Sequence, residues 1–572
     1  MGEGRGVASD LDPDGKTLVA PRRGDPDWWT RRWLLASIPV AGAATGATVG
    51  FLRCVEALRP GGRLGALGLS IDLGAIVVAF GWAMLLAGAI RSVLGFASRS
   101  IERRWGEGEA AARPRPSPRG RAAWLVGLGV VGALAGFGGA TAVMSRTLRE
   151  LHAVVARLDA VDPGWRLGDL ASRREEGPGE ADPARIVGEA AAKLGGRWPA
   201  GEVEDAWRRL RDLDETKRLD DATADALRAE LGARGESLAV ARRVAAGDPG
   251  HPRWKLATEY ADVDLFDAEA ARQVARLLGA DAAAAAQDGD PDRALRSCRA
   301  VFGVARSLGE RPSTALQLLR TSIDSDGAAA VRRVLAQGEP SAGTLEPLQR
   351  LILEERGEPR LRHALRGERA WRVEMIRWVG SLDCIAYPRG ERVRAIDGLS
   401  RPLDSAGLLA RQVIAALDWY DELIAIASRP EPEWIGRLAA WESRLAEVGR
   451  SPFAPFTAGL PLLLRSDERS VFLAELRLRA ELGATALLIA AERHRQATGA
   501  WPVSLDDIDE AILPEAPLDP FSGEAYRMQH RDGQLRIYSV GPNLRDEGGA
   551  YDDAGAVGYD PALRGRTAGD GG

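Results

Sequence analysis

Residues 498–553 read TGAWPVSLDDIDEAILPEAPLDPFSGEAYRMQHRDGQLRIYSVGPNLRDEGGAYDD, and local chemistry alone marks them out as a small module. Ser504, followed three residues later by Asp507, predicts a capping box and so a short helix over 505–512 that stops before Pro514. Pro517 and Pro520 keep the next stretch extended, because a proline pushes the residue before it out of the helical region. Residues 525–530 and 534–540 flank Asp532-Gly533, a pair that tolerates positive φ, and so predict a β-hairpin. In its second strand Leu535, Ile537 and Ser539 alternate with Gln534, Arg536, Tyr538 and Val540. Gly541-Pro542-Asn543 ends the strand, and Asp546, Glu547, Asp552 and Asp553 crowd the glycine-rich loop that follows.

Working outward, residues 468–496 carry Val471, Leu478, Leu482 and Ile489 in a stripe with seven-residue repeats, while Phe472, Leu476 and Leu487 cover a second face. A helix covered on two sides is expected to pack on a helical body with one face and on the hairpin with the other. Residues 145–465 read as that body, a helical pattern broken at Asp162-Pro163-Gly164, 174–183, 247–252, 289–291, Gly338-Glu339-Pro340, 357–359 and 451–455. Ala294, Cys298, Val301, Ala305 and Leu308 sit at helical spacing as in a tetratricopeptide hairpin, but no 34-residue recurrence follows, so a helical bundle is expected rather than a solenoid.

Three apolar runs precede the body, at 33–52, 73–90 and 122–144, each near the ~20 residues that cross a bilayer core. Arg99, Arg103, Arg104, Arg113, Arg115, Arg119 and Arg121 fall in the second connection, against Arg53, Arg59 and Arg63 in the first. With Arg22, Arg23, Arg31 and Arg32 in the polar tail 1–32, this places the N-terminus on the cytoplasmic side and everything after Met144 outside. The expected architecture is therefore mainly α: a cytoplasmic tail (1–32), a three-span anchor in the lipid bilayer (33–144), and a helical extracytoplasmic domain (145–465). A small α+β module (466–553) and a second polar tail (554–572) complete it.

The order DPFSG at 519–523, a hairpin, YSVG at 538–541 and an acidic glycine-rich loop resembles the C-terminal domain of the major pseudopilins of type II secretion. That resemblance implies a calcium site in the loop, with Asn543, Asp546, Asp552 and Asp553 as oxygen ligands; the alternative is a loop left in water. The phrases LDAVDPGWRLGDL (158–170), DRALRSCRAVFGVARSLGE (292–310) and LRHALRGERAWR (361–372), followed by this tail, look like a family of large membrane-anchored proteins of planctomycete type. The likeness implies an architecture and no activity.

A net charge of −5 argues against nucleic acid as a partner. The five histidines are too scattered for an HExxH pair, and no GxSxG elbow occurs. The glycine pattern at 127–132 fits a dinucleotide fingerprint but lies inside a membrane-length run without a preceding strand. Glu492 and His494 read as a polar helix end rather than an acid–base pair, and Trp165, Trp198, Trp371, Trp378, Trp419 and Trp434 as core residues rather than a ligand groove. Of the three cysteines, only Cys298 and Cys384 fall in the outer part, and Cys298 lies on an apolar helix face, where a free thiol is expected. Two function classes remain. One is a non-enzymatic envelope scaffold that docks to other envelope proteins of a secretion- or pilus-like assembly. The other is a membrane-tethered hydrolase or binding protein with its site in the helical body, and a deep pocket with convergent polar residues would favour it.

Overall fold

A computed structural model describes residues 118–172, 182–246, 266–309, 311–380, 408–531 and 534–549. The tails, the apolar runs 33–52 and 73–90, Cys54, Cys384, the Asp532-Gly533 turn, Asp552 and Asp553 lie outside these residues. The chain divides into two compact units, Met1–Leu148 with Arg394–Leu408, and Arg149–Val393 with Leu409–Gly572. The described part of the first is helical. In the second the helical body and the C-terminal module fall together.

The described chain is mainly helical, with one two-stranded antiparallel sheet. Among the described residues no helix is long and apolar enough to cross a membrane. The third apolar run, 122–144, falls within α1 (Pro118–Val161), where most side chains before residue 142 lie outside the description.

In the second unit, α2 (Leu167–Ser172), α3 (Pro183–Leu194), α4 (Glu202–Asp212), α5 (Asp221–Ala233) and α6 (Gly235–Arg242) lead into three longer helices. These are α7 (Phe266–Gln287), α8 (Pro291–Ser307) and α9 (Thr314–Gln337). Local chemistry sets the boundaries. At α3 the Asp182 side chain accepts the Ala184 N–H at 3.0 Å, Pro183 opens the first turn, and Gly195 closes the helix at φ 70°. At α8 Asp290 and Pro291 repeat that start. Buried Ile186, Leu227, Leu238, Leu277, Val304 and Ile323 join these helices in one core. The five residues with tetratricopeptide-like spacing, Ala294 to Leu308, are all buried.

The remaining helices are α10 (Ala342–Gly357), α11 (Arg360–Gly380), α12 (Leu408–Ala427), α13 (Trp434–Arg450), two short turns α14 (Ala454–Thr457) and α15 (Gly459–Leu463), and α16 (Glu468–Thr498). The helix expected over 468–496 is α16. Its two cores follow one another along its length instead of taking a body face and a hairpin face: Leu487 joins Leu478, Val471 packs with Phe472, and the body and the hairpin share one core. The helix starts at Asp467, whose carboxylate accepts the Ser470 N–H at 3.2 Å, and ends at Gly499 with φ 84°. Its Leu478, Leu482, Leu487 and Ile489 share a core with α8, α9, α10, Leu535 and Ile537, whereas its Phe472 and Leu476 share another with Trp434, Leu438 and Tyr420. Trp165, Trp198, Trp371 and Trp434 are buried, as core tryptophans should be.

In the module, β1 (Arg527–Arg531) pairs with β2 (Gln534–Tyr538) in the register Arg527↔Tyr538 to Arg531↔Gln534. The DPFSG and YSVG segments are joined by one buried carboxylate. Asp519 accepts from Phe521 N (3.0 Å), Ser539 Oγ (2.8 Å) and Val540 N (3.0 Å). The capping box at Ser504 and Asp507 is present, but the helix expected over 505–512 shrinks to a single 3₁₀ turn, Leu505–Asp507. Asp509 takes the Ala511 N–H onto its own side chain at 2.7 Å, competing with helical bonding, while Ile508 and Leu513 turn into the core. Strand alternation puts Tyr538 on the polar face, yet it is buried, because the loop after it folds back and brings Gly549 against its ring.

Candidate functional site

The loop expected to hold calcium uses its oxygens on itself. Asn543 Oδ1 accepts the Arg545 N–H at 3.0 Å, and the Asn543 amide donates to Glu547 at 3.0 Å. Asp546 Oδ1 accepts the Tyr538 hydroxyl at 2.7 Å and the Gly548 N–H at 3.0 Å, and the first of these holds the Asp546 carboxyl below its usual range. Asp552 and Asp553 lie outside the described residues. Among the described residues no three His, Cys, Asp or Glu side chains are grouped to hold a metal.

Glu492 is buried and receives Arg495 at 3.0 Å and Gln496 at 2.9 Å, which ties down the polar end of α16. Cys298 is a free thiol, and burial pushes its pKa far up, so it is unreactive packing.

A feature without a sequence motif lies deeper in the body. Between α4, α7, α9, α16 and β2 is a cleft of about 750 Å³, a volume typical of small-ligand pockets. Its apolar wall includes Trp207, Ala283 and Val301. Trp207 is braced by Trp198, their ring centroids 5.9 Å apart.

Most of the charge in this cleft is matched. Arg332 donates from Nε (2.8 Å) and Nη2 (2.6 Å) to the two oxygens of Glu215, and from Nη2 to Glu481 at 3.0 Å. This is the fork geometry that makes arginine–carboxylate pairs strong, and the two acids raise the Arg332 pKa against the opposing effect of burial. Glu481 also accepts the Ser325 hydroxyl at 2.5 Å. Arg333 donates to the carbonyls of Leu210, Leu213, Asp214 and Lys217, closing the end of α4. Its own pKa is lowered, chiefly by burial.

Three charged groups in the cleft stand apart from this matching. Among the described residues Arg276, Asp326 and Arg536 form no hydrogen bond or ion pair. Asp326 is exposed, and the protein crowded around its carboxyl, with Glu481 nearby, pushes its pKa up to about 6, while Arg276 and Arg211 pull it back. Arg276 has its pKa lowered, first by desolvation and then by Arg272.

Geometry limits the chemistry available. The Ser325 proton is committed to a carboxylate already neutralised by Arg332, so the hydroxyl is not set up as a nucleophile. A more open hollow of about 990 Å³ lies near Trp434, but its inner arginines are used structurally. Arg356 bonds Glu431 and the Leu518 carbonyl, while Arg479 bonds Glu431, Glu475 and the Glu358 carbonyl.

The cleft is invisible to sequence reading because its residues come from distant segments; Arg332 and Glu215 are 117 positions apart. One signal is present. Of the cleft residues on α9, Arg332 and Arg333 are charged side chains at buried positions of an otherwise Ala-, Val- and Leu-rich helix. No protein-family model, curated protein or solved structure matches the chain.

Proposed function

We propose that the chain is a membrane-anchored envelope protein whose extracytoplasmic unit binds a small polar ligand in the cleft between α7, α9 and α16. The observation that carries this reading is the trio Arg276, Asp326 and Arg536, left unmatched where every neighbouring charge has a partner. Asp326 is exposed and Arg276 and Arg536 are half-buried, so all three are within reach of a polar ligand entering the cleft. The anchor rests on the three apolar runs and the arginine bias around them. The test is thermal unfolding of the full-length chain against a panel of small metabolites. A ligand that raises the midpoint for the wild type and fails to do so for Arg276→Gln supports the reading; no shift from any panel member refutes it.

The docking role keeps one observation of its own. Val503, Leu518 and Leu544, all in the C-terminal module, are exposed large apolar side chains. If these side chains join the chain to a secretion- or pilus-like assembly, Val503→Asp with Leu518→Asp should lower the mass of its native complex. An unchanged mass removes the docking role.

A further inference from the structure

We propose that residues 451–464, the stretch that forms α14 and α15, lie in the headgroup layer of the bilayer that the apolar runs enter. This inference rests on the membrane-anchored reading and adds to it a lipid contact made by the folded second unit.

The first argument is composition. The stretch reads SPFAPFTAGLPLLL and is the longest charge-free run after residue 145, in a chain where 27% of residues are charged. An apolar run of this length is too short to span a bilayer, and belongs to a buried core helix or to an interfacial segment. The structure gives it no core helix. It is broken into the four-residue α14 and the five-residue α15, and Phe453 and Leu463 are 68% and 79% exposed. Exposure alone would not single them out, because isolated apolar side chains commonly face water. Here the same stretch is also held to the body. Ala454, Ala458 and Pro461 are buried, Leu462 packs into the core of Trp434 and Phe472, and Leu460 and Leu464 pack into the core of Leu158 and Trp165. The exposed apolar side chains therefore stand on an anchored edge.

The second argument is the tether, which decides what covers that edge. Leu460 and Leu464 share their core with Leu151, Val154 and Val155 of α1 and with Leu409 of α12. The chain passes between its two units at Leu148 and again at Leu408, so Leu151 and Leu409 are the neighbours of both passages. The apolar run 122–144 ends seven residues before Leu151, and seven residues of chain reach at most about 25 Å in any arrangement. A partner protein would have to be recruited to this edge, whereas the chain itself keeps a bilayer within reach of it.

Charge at the ends is the third argument. Arg450 and Arg465 flank the stretch, and both are exposed; Arg465 also pairs with Glu468 at 3.5 Å. Arginine joins a long apolar stem to a fork that matches phosphate, so it can hold headgroups while adjoining apolar side chains enter the acyl boundary. Arg146 and Arg149, on either side of the passage at Leu148, are exposed as well.

The experiment is nitroxide labelling of the full-length chain reconstituted in vesicles of phosphatidylcholine and phosphatidylglycerol. Cys54 and Cys384 are replaced by serine, and Cys298 stays because it is buried. Labels at Phe453→Cys and Leu463→Cys should relax faster with oxygen, which collects among acyl chains, than with a nickel chelate, which stays in water. A label at Leu544→Cys, an exposed apolar position in the C-terminal module, should show the reverse, so the oxygen-to-nickel ratio should differ several-fold. The wild type supplies a check that needs no variant. A phospholipid with a photoactivatable group near its glycerol should crosslink to peptides from 451–464. Labels open to nickel, with no such crosslink, overturn the inference and leave the anchor intact provided that the chain floats with the vesicles. Labels shielded from both reagents would put protein against this edge and overturn it too. A chain that does not float with the vesicles overturns the membrane reading, and the inference with it.

Discussion

Glu355 is a single carboxylate that receives three arginines in the core. Arg320 reaches it at 2.9 Å, Arg306 and Arg360 also bond to it, and Arg360 pairs with Asp324 at 3.0 Å. Glu355→Gln would leave Arg306 with the exposed Glu354, Arg360 with Asp324 and Arg320 with only the distant Glu358. We expect a loss of about 3–5 kcal/mol in denaturant unfolding, the cost of breaking a buried pair from one side; a loss under ~1 kcal/mol would show that the network contributes little. The two acids titrate in opposite senses. The arginines hold the Glu355 carboxyl below its ordinary range, so its contribution is present above that range and is lost on acidification. Burial, with Glu355 beside it, holds the Asp324 pKa above its ordinary range, so its contribution is full below about pH 4 and fades as pH rises through the raised value. Asp324→Asn should therefore flatten the decline in stability between about pH 4 and neutrality. Curves that stay parallel to the wild type would contradict this. Local pairs such as Ser504 with Asp507 could be read from the sequence because their partners lie three residues apart. Glu355 and Arg306 could not, because the fold alone brings them together.

Helix α11 makes a close crossing at Gly367, where a Cβ would lie 1.7 Å from the Pro312 carbonyl oxygen. Backbone cannot yield as a flexible side chain can. Gly367→Ala should cost about 3 kcal/mol despite a helix-propensity gain of about 1 kcal/mol. Gly188, in α3, has nothing within 4 Å of the place a methyl group would take, so it is the control, and its alanine variant should be neutral or up to about 1 kcal/mol more stable. Equal effects at the two sites would mean that the crossing relaxes. In the loop after β2 we expect millimolar calcium to leave the unfolding midpoint unchanged, since Asn543 and Asp546 already accept backbone and tyrosyl donors. A rise in the midpoint would require these bonds to open and Asp552 and Asp553 to join. Helices and the hairpin were legible because their periods of 3.6 and 2 are local. The length of the turn after Ser504 was not, because Asp509 and two core side chains decided it.

For the chain as a whole, the arginine bias leads us to expect that a reporter fused after Met144 works only outside the cytoplasm. Activity of a cytoplasmic reporter there would invert the layout and move the cleft to the other compartment. Composition and periodicity were enough for a mainly helical chain ending in a hairpin, since those properties are summed over long stretches. The cleft needed the tertiary fold, as its walls come from α4 through β2. The placement of α16 has a consequence for synthesis. Helices α7 to α10 are made first, and their shared core is completed by α16, which begins 111 residues after the end of α10 (Gly357 to Glu468). At about 5–20 residues per second, the apolar faces of the early helices wait roughly 6–22 s for their cover. During that interval those apolar faces are open to neighbouring chains.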